Sequence, residues 1–136
     1  MYIRVNPTDS LPIYIQIINQ VKGLVAAGKL LADEPIPSVR QLAVDLAVNP
    51  NTVARAYLEL EHEGITYKRR GQGTFISTAA VVLCKDHTIT TLNDLLEEAI
   101  REGMRFGLTE DQLRRAFDEV CNRVTATMDG EPSQST

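Results

Sequence analysis

The side chains in this sequence that could do chemistry are mostly amides, hydroxyls and guanidinium groups. They gather at three places: Arg40; Asn49, Asn51, Thr52 and Arg55; and Arg69, Arg70 and Gly71. DNA asks for this mixture, a positive surface for phosphates and a small set of groups for bases. Short hydrogen-bonding groups at a helix start reach base edges in the major groove, and a forked guanidinium suits guanine O6 and N7. Cations on a glycine turn can enter a narrow minor groove. Arg55 can reach a phosphate or a base; its plainer role is an ion pair with Glu59 at i+4. Catalysis has no comparable support. Neither His62 nor His87 stands beside an evident nucleophile, and Glu59-Glu61-Glu63, Glu97-Glu98 and Asp118-Glu119 read as solvated helix faces. The pattern is that of a DNA reader, not an enzyme.

These groups need elements to hold them. Ser38 is a favoured N-cap with Gln41 three residues on, so a helix starts after Pro37. Leu42, Ala43, Leu46 and Ala47 give it an apolar stripe that ends at Val48, and Arg40 lies one turn in, outside the stripe. Asn49 caps a second helix, with Pro50 at N1, where its missing N–H costs nothing. Val53, Ala56, Tyr57 and Leu60 recur at i, i+3, i+4 and i+7, a buried face that leaves Asn51, Thr52 and Arg55 outward. Two helices about a tight turn, with polar groups on the second, make a helix-turn-helix. Ahead of it, Met1–Ser10 reads as an extended arm. Pro12–Ala27 reads as a core helix ending near Gly28, and Leu31–Pro37 as a turn-rich connector. Behind it, the helix stops at Gly64. Residues 65–69 alternate like a strand, Gly71-Gln72-Gly73 turns, and Thr74-Phe75-Ile76 returns. That is a winged-helix wing. Gly71-x-Gly73 is no dinucleotide fingerprint, since no GxGxxG is completed and a strand follows.

Residues 77–88 are a transition, read as a strand extension or a connector. Thr91 is expected to cap a helix carrying Leu92, Leu95, Leu96, Ala99, Ile100 and Met104, ending at Gly107. Thr109 and Gln112 form a capping box ahead of Leu113, Phe117, Val120, Cys121 and Val124. Such a helical hairpin is too small to bury a core alone. Its apolar face (Leu92, Leu95, Leu96, Ile100, Leu113, Phe117 and Val120) therefore predicts a dimerisation surface against a second copy. Net charge is −4, but residues 1–80 hold eight Lys/Arg against seven Asp/Glu and residues 81–136 six against eleven, a division of +1 and −5. Two modules with different partners are implied. The two cysteines, Cys84 and Cys121, lack CxxC spacing, which fits a reducing cytoplasm. No apolar run approaches the ~20 residues of a membrane span and no signal-peptide h-region follows Met1, so no membrane partner is expected. The polar end from Thr125 reads as disordered.

The stretch IPSVRQLAVDLAVNPNTVARAYLELEHEGI followed by RRGQGTF is similar to the DNA-binding domain of the GntR family of bacterial transcription regulators. The Asn-Pro-Asn-Thr-Val helix start and the short C-terminus resemble its YtrA subfamily. The resemblance implies a winged helix acting as a homodimer on an inverted-repeat operator, mostly as a repressor, with control of a nearby transporter operon. Arg40 matches an operator-contacting arginine, and Asn49, Asn51 and Thr52 match contact positions. Asn49 also has its capping duty and so fits a phosphate at the helix end, while Asn51 fits a base. Pro50 and Ala54 stand where many members carry arginine, so base reading there is different or absent. The expected architecture is mainly α with a small β wing: a winged helix over 1–78, a helical module over 79–128 and a disordered tail over 129–136. No cofactor or metal is expected, and a small-molecule effector is unidentified. Other readings remain open. One is a ligand or metal sensor, drawing on Cys84, Asp86 and His87 with His62 and Cys121, although their spacing matches no zinc pattern. The other is a protein adaptor using the acidic hairpin.

Overall fold

The computed structural model describes residues 1–129 of the 136. The chain runs α1 (Ile13–Ala26), β1 (Pro35–Ile36), α2 (Val39–Leu46), α3 (Pro50–His62), β2 (Thr66–Arg69), β3 (Gly73–Ile76), α4 (Ala80–Arg105) and α5 (Glu110–Asp129). It is mostly helical with one small antiparallel sheet, in the order β1-β3-β2. Two compact units divide at Thr91/Leu92, inside α4.

The first unit is built around α1 and α3. Ile17, Val21 and Val25 of α1 and Val53 and Leu60 of α3 are fully buried, as the helical spacing of these residues predicts. Leu42 of α2, Ile65 just before β2 and Ile76 at the end of β3 belong to the same cluster. Each large aliphatic side chain buried there contributes ~1.5–3 kcal/mol. Lys22 is buried too, its ammonium 2.9 Å from Glu63, so an ion pair ties α1 to the C-cap of α3. Glu61 reaches Lys68 of β2 at 3.5 Å. Glu61 and Glu63 are therefore not simply a solvated face. The N-terminal arm lies along α1: Ile3 is buried, Arg4 N–H donates to Gln20 (2.8 Å), and Asn6 N–H donates to Gln16 (2.7 Å). The Gln16 amide returns bonds to the carbonyls of Asn6 and Leu11, one turn of side chains standing in for a paired strand.

Three expectations need correction. The connector before α2 contains a strand, because Pro35 and Ile36 pair with Phe75 and Thr74 of β3. A proline is tolerated there since β1 is an edge, where a missing N–H leaves no ladder bond unmade. The transition after the wing is neither strand nor connector: α4 starts at Ala80 and runs unbroken through Thr91. Ala80 and Cys84 are fully buried in the first unit, which is what recruits these turns. Burial also pushes the Cys84 thiol up, so it stays protonated and packs as a small apolar group. Thr91 is accordingly no cap. The hydroxyls of Thr88 and Thr90 donate back to the carbonyls of Cys84 (2.9 Å) and Asp86 (3.0 Å), so the preceding turn absorbs them. Lastly, α5 continues through Thr125–Asp129, where the Thr125 and Thr127 hydroxyls bond the carbonyls of Cys121 and Arg123 in the same way. The tail from residue 130 lies outside the described residues.

In the second unit, Gly107 at φ +88° ends α4 and Thr109 opens α5. The capping box forms in both directions: Gln112 N–H donates to Thr109 Oγ1 (3.2 Å) and Thr109 N–H to Gln112 Oε1 (2.9 Å). Gly103 lies in the last turn of α4. A Cβ there would stand 2.5 Å from Leu113 of α5, so the glycine allows the two helices to approach. Leu96 and Leu113 are half-buried within this unit, whereas Leu92, Leu95, Ile100, Phe117 and Val120 are exposed. No helix among the described residues is long and apolar enough to cross a membrane.

Candidate nucleic-acid interface

The helix-turn-helix forms from α2 and α3. Ser38 Oγ accepts from Gln41 N–H at 3.1 Å, half of the anticipated capping box. The reciprocal half is not made, because the Gln41 amide donates to Asp45 at 2.7 Å. Ala47 is not part of an apolar stripe. It is exposed and caps α2 in the left-handed region, φ +55°, with its N–H on the Ala43 and Val44 carbonyls. That conformation sets the tight turn into α3. Asn49 caps α3 as expected, its Oδ1 accepting from Asn51 N–H at 2.8 Å, with Pro50 in the first turn.

The pair is locked by Tyr57. Its ring is buried and its hydroxyl donates 2.7 Å to the Pro37 carbonyl, joining α3 to the chain entering α2. Burial pushes the Tyr57 phenol far above its ordinary range, so the donor stays protonated at any ordinary pH.

Arg40, Asn49, Asn51 and Arg55 are exposed and Thr52 is half-buried. Among the described residues, neither the Arg40 guanidinium nor the Asn51 side-chain amide has a hydrogen-bonding partner, and the first turn of α3 carries no acid. Arg55 behaves otherwise. It makes no pair with Glu59; its guanidinium carbon lies 3.8 Å from the centre of the Tyr14 ring of α1, a cation–π contact. Nothing in the spacing of α3 could have found this, since Tyr14 is remote in sequence.

The wing separates two neighbouring arginines. Tyr67 of β2 and Phe75 of β3 are cross-strand partners with rings stacked 5.7 Å apart. Arg69 lies over both, 4.7 Å from Phe75 and 5.6 Å from Tyr67, and donates 3.1 Å to the Tyr67 hydroxyl. That hydroxyl donates in turn to Asp33 at 2.6 Å, which holds the Tyr67 phenol above its usual range. Arg70 follows in the turn, exposed, with no ion pair among the described residues. Gly71, φ +75°, has open space where a Cβ would be, so its conformation rather than crowding calls for glycine. Helical spacing places Tyr14 in the stripe of α1, alternation places Tyr67 in a strand, and Asp33 falls in the connector, so no local pattern marks the contacts of Tyr14 with Arg55 or of Tyr67 with Arg69 and Asp33. Among the described residues no three His, Cys, Asp or Glu side chains come together to hold a metal ion.

A family model described as bacterial regulatory proteins, gntR family, matches residues 13–76. The chain is 38% identical over 122 residues to the HTH-type transcriptional repressor YtrA of Bacillus subtilis (strain 168), covering 90% of this chain and 94% of that protein. Among solved structures it is similar to a transcriptional regulator from Oenococcus oeni (31% identity, TM-score 0.74, 86% of this chain and 97% of that one). It is also similar to a GntR family transcriptional regulator from Listeria monocytogenes (31% identity, TM-score 0.70, 82% and 96%).

Proposed function

Because this chain belongs to the gntR family of bacterial regulatory proteins, DNA-binding transcription regulators and not enzymes, we propose that it is a repressor acting as a homodimer on an inverted-repeat operator. The recognition helix α3 lies in the major groove with Asn51 toward a base and Thr52 beside it. Arg40 reaches across from α2 to a guanine, and Asn49 with the N-terminus of α3 faces a phosphate. Arg70 and Gly71 carry the wing tip to the minor groove, with Arg69 behind them. Arg55, braced on Tyr14, is left for a phosphate. The observation that carries this reading is the start of α3: the exposed Asn51 side-chain amide, without a hydrogen-bonding partner among the described residues, on a helix whose entry is capped and whose partner helix is locked by Tyr57.

The apolar face of the second unit supports the dimer. Leu95 and Phe117 are 59% and 53% exposed in the single chain, a surface a second copy would cover. The transporter operon rests on the resemblance to the YtrA type. The test is salt-dependent binding of the purified protein to the DNA upstream of its own gene, against a scrambled duplex. Preference for the upstream duplex, by a dimer, supports the proposal; equal binding to both removes it.

A further inference from the structure

The outward side of α3 carries more than Asn51. Pro50 and Ala54 are spaced i, i+4 and are both exposed, with Leu58 one turn further on and also exposed; they lie along one edge of the outward face beside Asn51, while Val53, Ala56, Tyr57 and Leu60 are buried. The residue that could spread a long polar chain over this stripe is Arg55, and its guanidinium is drawn aside onto Tyr14. What faces outward beside Asn51 is therefore a short apolar strip, with no acid in the first turn.

In the major groove the one apolar group a base pair offers is the thymine C5-methyl, and alanine-sized side chains are suited to it. Small side chains have a second consequence. An arginine at either position would hold the helix axis off the groove floor, whereas Pro50 and Ala54 let it lie close. That closeness is what a side chain as short as Asn51 needs to reach adenine N6 and N7. Resting on the DNA-reading function proposed above, we infer that Pro50 and Ala54 are specificity residues that read thymine methyl groups next to the adenine read by Asn51. Each half-site thus holds an A·T core.

The experiment starts with the full-length protein and a random duplex library. From the enriched duplex, each thymine is replaced singly by deoxyuridine, which removes the methyl and keeps the pairing. At one or two positions per half-site affinity should fall about fourfold, the value of one buried methyl-sized group. The loss should vanish at the matching position in Ala54→Ser or Pro50→Ser, which keep the helix start and put a hydroxyl where the apolar contact was. An enriched sequence indifferent to uracil everywhere overturns this inference and leaves the regulator reading intact. So does a uracil effect that persists unchanged in both variants. No enrichment at all overturns the regulator reading and this inference with it.

Discussion

At the scale of single residues, partners decide which cations remain free for DNA. Arg40 is exposed and makes no ion pair among the described residues, so its guanidinium carries no competing bond to break. Arg40→Ala should cost ~1–3 kcal/mol on operator DNA and much less on random DNA. Equal losses in a filter or fluorescence titration would make it a phosphate contact instead. The wing arginines should also differ. Arg69 is already bonded to Tyr67 and stacked on Phe75, while Arg70 stands in the turn. Arg70→Ala should flatten the plot of log affinity against log salt by up to ~0.9, one phosphate's worth of counterions. A slope identical to that of the unmodified protein would detach the wing tip from DNA.

At the scale of elements, the angle between α2 and α3 depends on a few fixed points. Tyr57→Phe keeps the buried ring and deletes the donor to the Pro37 carbonyl, which should cost ~1–2 kcal/mol of unfolding free energy. Operator affinity should fall with it, since the entry to α2 positions Arg40. A denaturation midpoint unchanged within error would show that water replaces the bond. The Lys22–Glu63 pair makes a related case. Lys22 is 7% exposed and Glu63 46%, so the carboxylate is still partly solvated. Glu63→Ala strands a buried ammonium and should destabilise by ~1–3 kcal/mol, below the cost of breaking a fully buried pair. Lys22→Met, which removes the charge along with the need for a partner, should cost less.

At the scale of the whole molecule, the second unit is the proposed dimerisation device. Phe117 is exposed in the single chain, so Phe117→Glu should leave the protomer folded while placing a charge in the interface. A monomer by light scattering is expected, with operator affinity down ~10²-fold or more as the effective concentration near ~mM is lost. A truncation belongs after Thr91 rather than at the end of the wing, because Ala80 and Cys84 complete the core of the first unit. Dimers that persist in both variants with full affinity would move the interface elsewhere and leave the hairpin to an effector or a protein partner.

What was legible in the sequence was local chemistry. The caps at Ser38, Asn49 and Thr109, the buried faces of α1 and α3 and the glycine turn of the wing follow from residue types at fixed spacing, because helix ends and tight turns are satisfied by near neighbours. The helix-turn-helix and the polar start of α3 were readable for the same reason. Contacts between distant segments were not. The strand at Pro35–Ile36 exists because β3 lies beside it, and α4 starts at Ala80 because the core has room for Ala80 and Cys84. Arg55 turns from Glu59 to Tyr14 because α1 brings a ring 3.8 Å from its guanidinium, a neighbour no helical spacing encodes. Tertiary structure thus decided which of the exposed cations were already engaged: side-chain partners are set by packing, and packing joins residues that sequence keeps far apart.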